Sequence, residues 1–123
     1  MNKTMDRKII ITLAVLALAY TGLAQAMLNR IEEAYELDLT QISLPTHATG
    51  KVTVKACAGC DTVKLRADAR TNYQLGFDSA AVTLRELTNA ADAVRDRSAT
   101  PIFVFYKPES LVVTRIILGA ASR

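Results

Sequence analysis

Between Val52 and Ala67 the chain alternates apolar and polar positions, interrupted once by Ala58-Gly59. A period of two is the mark of a half-buried strand, so this stretch predicts a hairpin with Ala58-Gly59 as its two-residue turn. In that register Cys57 faces Cys60, Val54 faces Val63 and Val52 faces Leu65. The valines and the leucine share one face. The cysteines share the other with Thr53, Lys55, Thr62 and Lys64. A slip by one residue would set Val54 against Lys64 and turn the apolar face to water, so the register is strongly specified.

The pattern elsewhere predicts the remaining elements. Met27, Leu28, Ile31, Ala34 and Tyr35 recur at helical spacing, which suggests a short amphipathic helix over 26–36. In Leu37-Asp38-Leu39-Thr40-Gln41-Ile42-Ser43-Leu44 the alternation changes phase, and a bulge at Thr40-Gln41 would restore one apolar face. Pro45 ends that strand, and 46–50 form a loop. Tyr73, Leu75 and Phe77 alternate in a short strand that Ala80 to Val82 can pair with briefly. Thr83-Leu84-Arg85-Glu86 reads as a capping box opening a helix from Leu84 to about Asp96, with Leu84, Leu87, Ala91 and Val94 as its buried stripe. A second hairpin follows, Ile102 to Tyr106 and Leu111 to Leu118, joined by Lys107-Pro108-Glu109-Ser110. Its first arm is apolar on both faces, as in a central strand covered on both sides.

The N-terminus changes the picture from a fold to a location. Lys3, Arg7 and Lys8 precede an apolar run from Ile9 to Leu23, and Ala24-Gln25-Ala26 follows as a small-x-small cleavage pattern. The apolar character continues through Leu28, which is long enough for a membrane-spanning helix, so residues 1–28 are a signal peptide or a membrane anchor. Both readings export the remainder, because basic residues precede the run and Glu32, Glu33, Glu36 and Asp38 follow it. The expected location is the periplasm, or the inner membrane with the domain facing the periplasm. Residues 29–36 then form a short helical or flexible juxtamembrane segment, 37–118 the folded domain and 119–123 a disordered tail.

Charge narrows the partners. The net charge is +3, but beyond residue 26 twelve Lys and Arg stand against eleven Asp and Glu, so the exported part is nearly neutral. The overall electrostatic footprint of a nucleic-acid binder is absent.

Cys57-Ala58-Gly59-Cys60 is the one motif with a chemical mechanism. A redox-active dithiol needs its first cysteine at a helix N-terminus, where the dipole favours the thiolate. Here the flanks alternate as strands, and Asp61 places an anion beside Cys60. A structural disulfide across the turn fits better: opposed hairpin residues lie about 5.5 Å apart at Cα, within disulfide reach. Lys55 and Lys64 leave room for a mildly activated thiol, which keeps a thiol–disulfide role open. Zinc needs four ligands, and besides the two cysteines the chain offers only His47, so a metal site would require two protomers to pool their cysteines. Asp61, Asp68, Asp78 and Glu86 fall in turns and at a helix start, where turn-making and capping account for them. No catalytic constellation, cofactor or resident metal is expected.

The sequence therefore predicts an α+β protein: a small, mostly antiparallel β-sheet with one amphipathic helix packed on a face, preceded by a signal or transmembrane helix. The function expected is a non-catalytic interaction or structural module with a hairpin-tip disulfide, its partner another envelope protein. A periplasmic thiol–disulfide protein using Cys57 and Cys60 is the alternative, and a dimeric metal-binding module a weaker one.

Overall fold

The alternating stretch forms the expected hairpin, in the expected register. In the computed structural model, which describes residues 31–120, β3 (Lys51–Val54) pairs antiparallel with β4 (Val63–Arg66), placing Val52 opposite Leu65 and Val54 opposite Val63. Val52, Val54 and Leu65 are buried while Lys51, Lys64 and Arg66 face solvent. The other strands are β1 (Glu33–Asp38), β2 (Ile42–Ser43), β5 (Asn72–Gln74), β6 (Ala81–Val82), β7 (Pro101–Lys107) and β8 (Val112–Leu118), and the helix α1 is Leu84–Asp92. The chain divides into two compact units, Met1–Arg30 and Ile31–Arg123, and the described residues belong to the second. The signal or anchor expected over 1–28 and the tail beyond Ala120 lie outside them.

All eight strands belong to one mixed sheet, ordered β1-β7-β8-β4-β3-β2, with β5 pairing both β8 and β6. The hairpins pair antiparallel, whereas β8 takes β4 and β5 in parallel along its other edge, β4 at Val112 and β5 from Arg115 to Ile117. Strands β1 and β2 lie at opposite ends of this order, yet only Leu39, Thr40 and Gln41 separate them. Five strand spacings in a flat sheet would hold them roughly 24 Å apart. Four peptide links from Asp38 to Ile42 span at most about 14 Å. The sheet is therefore curled until its first and last strands meet at this corner.

Curling makes a single interior. Leu37, Leu39, Val52, Val54, Leu65, Ile102, Val104, Val113, Ile116 and Leu118 fill it, and α1 adds Leu87 and Ala91. The helix begins as expected: Thr83 Oγ1 accepts from the Glu86 backbone N–H at 3.2 Å, and the Glu86 carboxylate accepts from the Thr83 N–H at 2.7 Å. It ends at Asp92 rather than Asp96, capped by Ala93, so Val94 packs against the core from beyond the helix.

Three further expectations are corrected. Glu33 to Glu36 are not helical: they are strand, paired residue for residue with β7 from Glu33 opposite Tyr106 to Asp38 opposite Pro101. A β7 arm buried on its inner face at Ile102, Val104 and Tyr106 offers a long ladder edge, and cross-strand packing overrides the weak helical spacing of the short β1 segment. The phase change at Thr40-Gln41 is no bulge but a full turn that moves the chain from one sheet end to the other, closed by Gln41 N–H donating to the Asp38 carbonyl at 3.1 Å. The tail does not begin at Gly119, whose N–H donates to the Pro101 carbonyl at 2.8 Å. A Cβ there would lie 2.7 Å from Pro101 Cγ, so this close approach requires glycine.

The outer face of β7 explains its second apolar stripe. Phe103 takes Phe77 edge-on, with ring centroids 4.7 Å apart, and Phe105 takes the Arg115 guanidinium 3.9 Å above its ring. Arg115 in turn pairs with Glu32 at 3.6 Å. Across the β1–β7 pair Tyr106 stacks on Tyr35 and donates from its hydroxyl to the Glu33 carboxylate at 2.9 Å, and burial pushes its phenol pKa well up.

Tyr73 is the exception to this polar bookkeeping. Its ring is buried, and its hydroxyl meets no hydrogen-bond partner among the described residues. Burial, and then the nearby Asp68 carboxylate, raise its pKa. A raised folded-state value means that its contribution is fully present below the unfolded pKa near 10 and is lost as pH rises above it. Tyr73→Phe is expected to be neutral or to stabilise by up to about 1 kcal/mol at neutral pH, and to lessen the fall in stability above pH 10. Urea unfolding at both pH values measures this; a loss of more than about 2 kcal/mol at neutral pH would show that the hydroxyl is bonded after all.

Candidate functional site at the disulfide tip

The ladder between β3 and β4 stops at Val54 and Val63, so residues 55–62 form a projecting tip rather than further rungs. Within it Cys57 and Cys60 are joined as a disulfide with Cα atoms 5.0 Å apart. The Cys60 N–H also donates to the Cys57 carbonyl at 3.2 Å, closing the expected turn over Ala58-Gly59. Neither turn residue has a positive φ, and a Cβ at Gly59 would touch nothing within 4 Å. Glycine is therefore permitted at this turn and not demanded by it.

Both cysteines are exposed, and the short irregular segments that flank them lead into β3 and β4. Neither cysteine lies at the N-terminus of a helix, whose dipole is the usual route to a stabilised thiolate. The loop that the bond closes is short, so its effect on chain entropy amounts to only about 2 kcal/mol.

A side chain that the sequence pattern did not single out ties the tip down. Gln41 accepts from the Asp38 N–H through Oε1 at 2.9 Å and donates from Nε2 to the Ala56 carbonyl at 2.8 Å. Its own carbonyl accepts from the Lys55 N–H at 2.8 Å. One residue thus joins the corner between β1 and β2 to the base of the disulfide tip. The only sequence signal was the break in alternation, which reads equally as a bulge. Beside this clamp lies an open cleft of about 380 Å³ lined by Asp38, Thr40, Gln41, Lys55, Cys57 and Ala58.

The structure therefore brings Lys55 and Cys57 to one cleft and leaves Lys64 elsewhere, on the outward face of β4 with Arg66. His47 lies apart from the cysteines, exposed in a separate cleft of about 470 Å³ between the 44–48 loop and the first turns of α1. Among the described residues no group of three or more His, Cys, Asp or Glu could hold a metal ion. Asp68 serves its turn, accepting from the Arg70 N–H at 2.8 Å, as expected of an acidic turn residue. Among the described residues no helix is long and apolar enough to cross a membrane.

Comparison with family models, curated proteins and solved structures finds no match.

Replacing Gln41 with alanine removes two side-chain hydrogen bonds while leaving its backbone bond to Lys55 in place. The expected cost is about 1 to 2 kcal/mol, with faster reduction of the Cys57–Cys60 bond because the tip is no longer held. Denaturant titration and thiol release by a mild reductant measure the two effects. Unchanged values for both would show that the clamp holds nothing.

Proposed function

We propose that the chain is an exported, non-catalytic interaction or structural module of the bacterial envelope, carried by an N-terminal signal or membrane anchor. The observation that carries this reading is the disulfide at the solvent-exposed hairpin tip. Such a bond persists in an oxidising compartment, in agreement with the basic-apolar-small layout of residues 1–26. The tip is stapled by Cys57–Cys60 and held by Gln41, so it offers a rigid, projecting contact element for another envelope protein. The domain faces the periplasm whether the N-terminal segment is removed after Ala26 or retained.

One observation favours a second reading, a periplasmic thiol–disulfide protein. The bond is open to solvent, and Lys55 lines the same cleft as Cys57, where its cation would favour a thiolate once the bond opened. A metal module assembled from two protomers would need both thiols reduced and has no comparable support.

Thiol trapping separates the two readings. The full chain is produced with its own N-terminus in a Gram-negative host, the envelope fraction is alkylated with and without reductant, and the products are analysed by mass. The proposed function predicts an oxidised pair that resists millimolar glutathione, in protein recovered from the envelope. A bond that glutathione opens readily, or a pair found reduced, would overturn it in favour of the thiol–disulfide reading.

A further inference from the structure

The outward face of the β3–β4 hairpin concentrates cations that the fold does not neutralise. Lys51 lies directly opposite Arg66 across the antiparallel ladder, and Lys64 points to the same side two rungs away, opposite Thr53. Like charges in directly opposed positions repel and weaken a strand pair. Among the described residues no carboxylate pairs with any of the three; the ion pair there joins Arg115 to Glu32. The row continues across the sheet. Arg66 is registered with Val112 of β8, and Val112 with Lys107 of β7, so Lys51, Arg66, Val112 and Lys107 run side by side over about 15 Å.

This concentration is local, not a property of the whole domain. Residues 31–120 hold ten Lys and Arg against eleven Asp and Glu. Four of the acids, Glu32, Glu33, Glu36 and Asp38, gather in and beside β1, the neighbour of β7, whereas β3 and β4 carry none.

A second and independent feature sits beside the cations. Leu111 is the one non-glycine residue among those described with a positive φ, 58°. Glycine adopts that conformation without strain and leucine does not. The backbone is held there from both sides: the Leu111 N–H donates to the Lys107 carbonyl at 2.8 Å, and its carbonyl accepts from the Arg66 N–H at 2.9 Å. The side chain is not buried in exchange, since Leu111 is 43 % exposed. Lys51, Lys64, Leu65, Arg66, Ser110 and Leu111 together line an open cleft of about 270 Å³. An opposed like-charge pair and an exposed leucine on strained backbone both cost stability, and they occupy one cleft.

We propose that this face docks the domain onto a bilayer bearing anionic lipid headgroups. Lys51, Lys64, Arg66 and Lys107 take the headgroup phosphates, and Leu111 enters the acyl boundary beside them. Lipid is the occupant that uses both features: phosphate groups supply the missing counter-charge, and the acyl region accepts a projecting leucine that a soluble phosphate would leave in water. The proposal goes beyond the interaction module described above. It holds whether the N-terminal segment is cleaved or retained, because the contacts are made by the folded domain.

The test uses the isotopically labelled full chain with nanodiscs containing a lipid with a paramagnetic headgroup, in zwitterionic lipid alone and with phosphatidylglycerol added. Amide signals of Lys51, Arg66 and residues 110–112 are expected to broaden selectively in the anionic discs, and to recover in about 0.5 M salt, where the Debye length falls to a few ångströms. Each cation removed should weaken the contact roughly fivefold. Two variants separate docking from folding. Lys51→Glu replaces a repulsive cross-strand pair with an attractive one, and Leu111→Gly relieves the backbone, so both should keep or raise the thermal midpoint while losing the broadening. The proposal is overturned by broadening that is equal in the two lipids, spread evenly over the surface or unchanged in both variants. Perturbation of the same amides by heparin or DNA, with none by anionic discs, would equally overturn it.

Discussion

The turn at Leu39–Gln41 is the constraint on which the other features depend. It joins the strand at one end of the sheet order to the strand at the other, so the sheet has to curl and has one interior instead of two faces. Several groups converge to hold it. The Leu39 N–H lies 3.1 Å from the Arg97 carbonyl and 3.2 Å from that of Thr100, and the Leu39 carbonyl accepts from the Arg97 guanidinium at 3.1 Å. The same guanidinium donates to the Ala91 carbonyl at 3.1 Å, tying the end of the helix to the turn. Leu39 itself is 1 % exposed, so a chain reversal that would ordinarily lie in solvent is anchored in the core.

The surface features follow from that closure. With the interior filled by the strands and by Leu87 and Ala91 of the helix, the β3–β4 hairpin presents its polar side outward, and its tip leans on the corner through Gln41. The disulfide is then a local staple on an element whose position is already set. The proposed roles use two surfaces: the projecting tip of the β3–β4 hairpin for a protein partner, and the cationic flank of that hairpin, with Lys107 and Leu111 beside it, for a lipid surface.

What was legible in the sequence was local. The register of β3 and β4, the disulfide and the Thr83–Glu86 capping box all follow from residues within a few positions of each other, where alternation and capping chemistry act directly. The α+β class and the second hairpin followed from the same patterns. Sheet order was not legible, because pairing β8 in parallel with both β4 and β5 depends on closure over a long stretch of chain that itself holds α1 and β7, and such closure leaves no periodic trace. Residues 33–36 were misread for a related reason: their helical spacing is weak, and the edge of β7 decides their conformation. Gln41 was missed because its partners, Asp38 and Ala56, meet only once the corner has formed. The cationic row was invisible as a count, since the charges nearly cancel along the chain and become a patch only when Lys51, Arg66 and Lys107 are brought abreast.

The buried corner, and not the disulfide, determines the fold. Denaturant unfolding of the full chain, comparing Leu39→Ala with a variant in which both cysteines are serine, tests it most directly. The expected loss is about 2 to 5 kcal/mol for Leu39→Ala, from the buried leucine and the cavity it leaves, and no more than about 2 kcal/mol for the serine pair. A serine pair that unfolds the domain while Leu39→Ala leaves it nearly as stable as the parent would show that the disulfide, and not the corner, determines the fold.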